Sequence, residues 1–202
     1  MASKPDNRKG IFSLFPEKFR KARSRAHRKN DEYMILGPEE GERLNQQHYL
    51  LRNIFHGNFN SPLESELQRG IKVADIGCGY GNWTLDMAQD FPASTFIGTD
   101  LVESVLPTEG IPPNCSFVQA DTLTGLPFPD GTFDYVFQRL VVLSYTEADW
   151  VKGVAELIRV TKPGGYVELF EADSMIQRAP ESYQKYENAC KYKLRFAYSR
   201  WG

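Results

Sequence analysis

The spacing of apolar positions changes character near residue 71. Upstream, Leu44, Tyr49, Leu50, Leu51 and Ile54 recur at mixed helical intervals and predict one helix over 39–56. Pro38 followed by Glu39 and Glu40 suits its first turn, where acids favour the exposed N–H groups. Residues 57–70, with GNFNSP as turn material, read as a connector. From 71 onward, short apolar runs alternate with helix-period segments. IKVADIG, STFIGTD, CSFVQAD, Tyr135 to Phe137 and YVELFEAD predict five strands. NWTLDMAQDF predicts a helix that stops before Pro92. TEADWVKGVAELIRV predicts another, with Trp150, Val151, Val154, Leu157 and Ile158 on one side and Thr146 as its cap. KPGG reads as a tight turn, and ESYQKYENACKYKLRFAYSRW as a closing helix. Strands alternating with helices predict an α/β fold, a mostly parallel sheet covered on both faces. No internal repeat divides the chain.

Composition narrows the class without naming the chemistry. The 202 residues, 41% hydrophobic and 25% charged, suit one globular domain. Three cysteines, at 78, 115 and 190, are too few and too odd in number for a disulfide framework. No run approaches the roughly 20 apolar residues of a membrane span, and no apolar stretch marks a secretory leader. Net charge, −2 overall, hides an asymmetry. Residues 1–30 hold ten Lys or Arg against Asp6 and Glu17; the remainder holds 14 basic and 24 acidic residues. The expected organisation is a basic, disordered arm over 1–30, a helical cap over 31–70 and a main domain over 71–202. Phe12, Leu14, Phe15 and Phe19 interleave the arm's charges, which suits a nuclear import signal, an anionic surface, a mitochondrial presequence or a solubilising tail. Nucleus or cytoplasm is the expected location, with the mitochondrion left open. The acidic body argues against nucleic acid as a partner, since it repels phosphate.

The sharpest local signal is Asp75-Ile76-Gly77-Cys78-Gly79-Tyr80-Gly81, between a predicted strand and a predicted helix. Glycines there let a ligand approach the main chain, at the strand end where open α/β sheets bind ligands. The spacing is G-x-G-x-G, with Asn82 where a dinucleotide loop would place its third glycine, and no Gly-Lys-Ser/Thr follows as in a phosphate loop. Asp75 would repel a pyrophosphate and suits a cationic ligand. Asp100 ends the second strand, where a carboxylate can accept from both ribose hydroxyls; a cap for the following turn is the plainer alternative. Asp121, after the third strand, could accept from an adenine amino group, with Ala120 offering backbone contacts and Leu123 apolar cover, or could simply cap its loop. An adenosine carrying a positive centre matches three acids on successive strand ends.

VADIGCGYG, FIGTDL, FVQADTLTGLPFPDGTFDYVFQR and TKPGGYVELFE together resemble the class I S-adenosylmethionine-dependent methyltransferases. Tyr33, Glu40 with Arg43 and Leu44, and Gln47 with His48 narrow the resemblance to fungal proteins related to the LaeA regulator of secondary metabolism. It implies a Rossmann-like three-layer sandwich with S-adenosyl-L-methionine as cofactor. By position, Asp75, Gly77, Cys78, Gly79 and Gly81 would cradle the methionine part, Asp100 would hold the ribose and Asp121 the adenine amino group, with Leu101 and Ala120 also at the cofactor. Tyr33 would cover the cofactor. Gln138 and Arg139 would lie near the transferred methyl and the acceptor, most simply a small molecule, and Gln138 would also touch the cofactor. The family core has two further strands, which the sequence is expected to lack, leaving the fifth strand's outer edge open. A fragment, or an edge that pairs with a second copy or a protein partner through the C-terminal region, is the expectation that follows.

Methyl transfer from a sulfonium needs alignment and exclusion of water, and a general base only if the acceptor must lose a proton. Gln138, Arg139 and His48 are the catalytic candidates; His27 lies in the arm and His56 at the helix end. His48 reads more readily as a core or surface residue, and Cys78 as a small residue in a tight loop. No Cys/His cluster has metal-ligand spacing. A dehydrogenase of similar layout and a LaeA-like regulator that binds the cofactor without turnover are the alternatives.

Overall fold

The computed structural model describes residues 38–142, 144–171 and 197–200. The arm, Tyr33, Cys190 and the stretch expected to form most of the closing helix lie outside the described residues.

In chain order the elements are α1 (Pro38–Ile54), α2 (Glu64–Arg69), β1 (Lys72–Ile76), α3 (Asn82–Asp90), β2 (Thr95–Asp100), β3 (Cys115–Gln119), β4 (Phe133–Arg139), α4 (Glu147–Val160), β5 (Thr161–Phe170) and β6 (Ala197–Arg200). They build one six-stranded sheet in the order β3-β2-β1-β4-β5-β6. The first five strands are parallel, so their carboxyl ends share one edge. Strand order reverses between β1 and β4, and a crevice at such a reversal is where open α/β sheets take ligands.

Each face of the sheet has its own core. Val73, Phe96, Tyr135 and Phe137 meet α3 through Trp83 and Met87, with Leu63 and Leu67 of the α2 region added. The Trp83 and Phe137 rings stack with centroids 4.1 Å apart. Ala74, Ile76, Val136 and Val167 meet α4 through Leu157 and Val160. Burying a side chain such as Leu157 contributes about 1.5–3 kcal/mol. The apolar members of β1, Val73, Ala74 and Ile76, are dictated by this two-sided burial.

α4 starts as its sequence predicts. Thr146 Oγ1 accepts from the Asp149 N–H at 3.2 Å, and the Asp149 carboxylate accepts from the Thr146 N–H at 3.0 Å. Such a reciprocal cap is worth about 1 kcal/mol. KPGG is a register irregularity within β5: Phe133 pairs with Thr161, but Tyr135 pairs with Tyr166.

Two expectations are corrected. The connector 57–70 contains a helix, α2, whose six residues are too short to display a helical period. The outer edge of β5 is not open, and the sheet does not stop at five strands. β6 pairs with it antiparallel, Leu169 opposite Ala197 and Tyr166 opposite Arg200, so 197–200 is extended and not part of a helix. The unpaired donors and acceptors of an edge strand favour such an addition. The alternation of aromatic and small residues, Phe196-Ala197-Tyr198-Ser199, has the strand period of two. With that edge paired, it no longer offers the reason for self-association that an open strand would.

Candidate functional site

β1 ends in the glycine loop, and β2 holds the loop by its backbone. The Thr99 carbonyl accepts from both the Gly77 and the Cys78 N–H, at 2.8 and 2.9 Å. Asp100 completes the fastening: one carboxylate oxygen accepts from the Gly79 N–H at 2.8 Å and the other from the Val102 N–H at 3.0 Å. Each oxygen retains a lone pair for a ligand. The Ala120 N–H donates to the Asp100 carbonyl, which draws the end of β3 alongside.

Two glycines are required for different reasons. Gly81 precedes α3 in the left-handed region at φ 71, and a Cβ there would meet the Phe117 ring at 2.7 Å and Pro107 at 2.8 Å. Gly79 is also left-handed, at φ +53, yet a Cβ would meet nothing within 4 Å, because that side of the loop is open. Gly81 at the N-cap of α3 has no side chain to cap it.

Asp75 is buried and accepts from the Thr84 hydroxyl at 2.6 Å. Burial pushes its carboxyl up to about 6, against the pull of Thr84 and of the Arg139 charge. A buried carboxylate with one hydrogen-bond donor is poorly compensated and favours a cation nearby. The Cys78 thiol is pushed far up by burial and by Asp75 and Asp100, which makes it a filler and not a nucleophile. Leu101 is 52% exposed beside Asp100. Asp121 accepts from the Leu123 N–H at 2.9 Å through one oxygen, the geometry of a loop cap, and its other oxygen has no partner among the described residues.

Gln138, the penultimate residue of β4, is in register with Ile76, beside the glycine loop. It is 1% exposed, and neither its amide oxygen nor its amide nitrogen has a partner among the described residues. Buried amides are normally satisfied, so this one has hydrogen-bonding capacity that the described residues do not use.

Arg139 and His48 belong to a different arrangement, which joins α1 to the sheet. Arg139 Nη2 lies 3.2 Å from His48 Nδ1, and His48 Nε2 lies 3.0 Å from Asp86 Oδ2. A guanidinium only donates, so Nδ1 accepts and the His48 proton sits on Nε2, toward Asp86. His48 is buried, and both ring nitrogens are engaged. The same Asp86 oxygen also accepts from Arg52 at 2.5 Å and Asn58 at 2.8 Å. These donors hold the Asp86 carboxyl below the usual range despite partial burial.

The sequence reading did not single out the acids that fasten the β4–β5 side. Glu168, 1% exposed in β5, accepts from the N–H groups of Asn60 and Ser61, the Ser61 hydroxyl at 2.7 Å and the Tyr135 hydroxyl at 3.0 Å. Glu171 accepts from the Val141 and Val142 N–H groups at 2.9 and 3.1 Å, and burial pushes its carboxyl up to about 7. It secures the turn after β4, where Leu140 takes a positive φ of 58. The available signal was an acid inside the apolar run YVELFE, since a buried acid must be satisfied from elsewhere. No group of three or more metal-ligating side chains occurs among the described residues.

A methyltransferase domain model covers residues 73–165. The chain is 33% identical over 144 residues to the N-methyltransferase verN of Clonostachys rogersoniana, covering 69% of this chain and 50% of that one. It is 34% identical over 140 residues to the secondary metabolism regulator laeA of Coprinopsis cinerea, covering 67% of this chain and 34% of that one. The chain thus spans half or less of the length of these two relatives. Among solved structures, CalO1, a methyltransferase in calicheamicin biosynthesis solved with S-adenosylhomocysteine bound, aligns over 72% of this chain and 40% of its own, at 19% identity and a TM-score of 0.51. That likeness establishes the α/β fold. The chain carries a methyltransferase domain over residues 73–165, and it resembles the S-adenosylmethionine-dependent methyltransferases and, among them, the fungal LaeA-like proteins.

Proposed function

We propose that the chain binds S-adenosylmethionine across the ends of β1, β2 and β4 and directs its methyl group to a small-molecule acceptor. The observation that carries the reading is the unpartnered, buried Gln138 amide beside a glycine loop whose Gly79 side is open. The residues present fit the cofactor. Asp75 offers a poorly compensated carboxylate to a cationic amino acid part, Asp100 keeps lone pairs for ribose hydroxyls, and the free Asp121 oxygen and Leu101 suit an adenine. Tyr33, outside the described residues, is a further candidate for covering it. When bound, the cofactor supplies a methyl group activated on a sulfonium. The chain's part is to hold, orient and keep water out. His48 has both ring nitrogens engaged, so its role is to orient Arg139.

Titration calorimetry with S-adenosylmethionine, S-adenosylhomocysteine and NAD tests the binding. Micromolar or tighter affinity for the first two, about −8 kcal/mol or stronger, is expected, with no response to NAD. Asp100→Ala should weaken binding by about 1.5–3 kcal/mol, and Glu103→Ala should leave it unchanged. Tight NAD binding alone would sink the reading.

The regulator among the relatives supports a second reading, a LaeA-like protein that binds the cofactor with little turnover. Release of S-adenosylhomocysteine in the presence of a fungal metabolite extract separates the two. The basic arm is proposed to direct the chain to the nucleus; identical distributions of the tagged chain with and without residues 1–29 would refute that.

A further inference from the structure

The turn after β4 meets the glycine loop through one side chain. A Cβ on Gly77 would meet Val141 Cγ1 at 3.0 Å, so the Val141 methyl closes the Gly77 side of the loop, whereas the Gly79 side is open. Val141 reaches the loop from a constrained backbone. Leu140 takes a left-handed φ of 58, which a leucine holds only where its surroundings impose it. Three contacts with the end of β5 impose it. The Leu140 N–H donates to the Phe170 carbonyl at 2.9 Å, and the Val141 and Val142 N–H groups donate to the two carboxylate oxygens of Glu171. Successive N–H groups of a turn form a concavity suited to an anion, and the buried Glu171 carboxylate fills it.

We propose that Glu171 is a positioning residue for the cofactor site: seated on two successive N–H groups, its carboxylate holds the turn so that Val141 walls the glycine loop at Gly77. The coupling rests on these contacts alone, and its effect on the cofactor rests on the methyltransferase reading above. In the ionised form both oxygens accept; a proton on one weakens its bond to the N–H it faces. The loop therefore feels the protonation of Glu171, whose carboxyl burial raises to about 7. Tyr145, before α4, faces that charge together with those of Asp121 and Asp149. Arg139, at the end of β4, answers Asp75 and Asp86 instead. Asp75, on β1, is raised to about 6 and gives the loop a second, lower step. Stability and affinity then depend on Glu171 in opposite senses: its ionisation costs the folded chain stability and secures the wall beside the cofactor.

Isotope-labelled glycine amides, followed by NMR in the full chain without ligand, report the loop directly. The Gly77 resonance should shift in two steps, near pH 6 and near pH 7, and Glu171→Gln should remove the upper step alone. Val141→Ala, which trims the contact and leaves the acid in place, should shrink that step. Calorimetry with S-adenosylhomocysteine reads the consequence. Its affinity should rise about fivefold between about pH 6 and about pH 8, and Glu171→Gln should bind about fivefold more weakly at the upper end and lose most of the rise. In the Val141→Ala background Glu171→Gln should cost little more, which a general loss of stability would not produce. If Glu171→Gln does not fold, the titration of the native chain and Val141→Ala decide alone. A Gly77 resonance without the upper step, an upper step that survives either substitution unchanged, or additive losses in the double variant would overturn the assignment. A chain whose Gly77 amide responds as expected but which takes no S-adenosylhomocysteine would overturn the function proposed above and leave the coupling standing.

Discussion

The two halves of the ligand edge fasten their loops by different means. On the β1–β2–β3 side, two adjacent residues at the end of β2 share it: the Thr99 carbonyl holds two loop N–H groups, and the Asp100 carboxylate takes the N–H groups of Gly79 and Val102. On the β4–β5 side, side chains from distant positions do it. Glu168 grips Asn60 and Ser61, more than a hundred residues earlier, and Glu171 grips the turn at Val141 and Val142. The first half is a short motif in which each part specifies the next. The second is a set of buried acids whose partners only the fold brings near. A cofactor common to a family suits the first kind of construction, and an acceptor that varies suits the second.

The largest expected effect comes from the second half. Glu168→Ala leaves two backbone N–H groups and two hydroxyls without their acceptor, and should cost about 3–5 kcal/mol in urea unfolding. Glu168→Gln, which retains one acceptor, should cost less. An unmoved midpoint for Glu168→Ala would break the comparison, because the β4–β5 side would then not depend on its buried acid.

The glycine loop gives the next effect, and here two glycines sharpen the contrast. Gly81→Ala meets a left-handed backbone and a crowded ring, and should lower stability by about 2–3 kcal/mol. Gly79→Ala meets the backbone penalty alone, about 1–2 kcal/mol, but its methyl fills the open side of the loop. It should therefore lose more cofactor affinity than stability. Unfolding curves and titration on the same pair of variants check both halves of that statement.

The smallest effect is a slope with pH. Burial raises Asp75 to about 6 and Glu171 to about 7, so the folded chain holds protons that the unfolded chain has released. Their contribution to stability is complete below the ordinary carboxylate range and is lost as pH rises through those values. The urea midpoint should fall between about pH 4 and about pH 7. Glu171→Gln should flatten the upper part of that fall and Asp75→Asn the lower part. The lowered carboxyl of Asp86 acts in the opposite sense, with stability lost as pH falls through its own depressed value. A midpoint that rises across the neutral range would contradict the placement of the two raised acids.

Legibility in the sequence follows the same division. The strands of the parallel sheet, α3 and α4 declare themselves through local period and capping, and the loop through glycine spacing. Gln138 was legible as a position but not as an orphan, because satisfaction is a property of surroundings. Asp86 and Glu168 were not singled out, since nothing near either in sequence indicates its partners. The sequence reads as a helix through β6, because only four residues carry the strand period there. α2 was absorbed into a connector for want of length.

One oxygen of Asp86 has a thermodynamic consequence. It receives His48, Arg52 and Asn58 at once, so these three side chains do not stabilise the attachment of α1 independently. Removing any one lets the others relax around a shared acceptor, and removing Asp86 releases all three. Double-mutant cycles among the three should show coupling in every pair, the departure from additivity vanishing when Asp86 is replaced. The contact between α1 and α3 is in that sense a single cooperative unit, and a substitution in α1 propagates to Arg139 through His48.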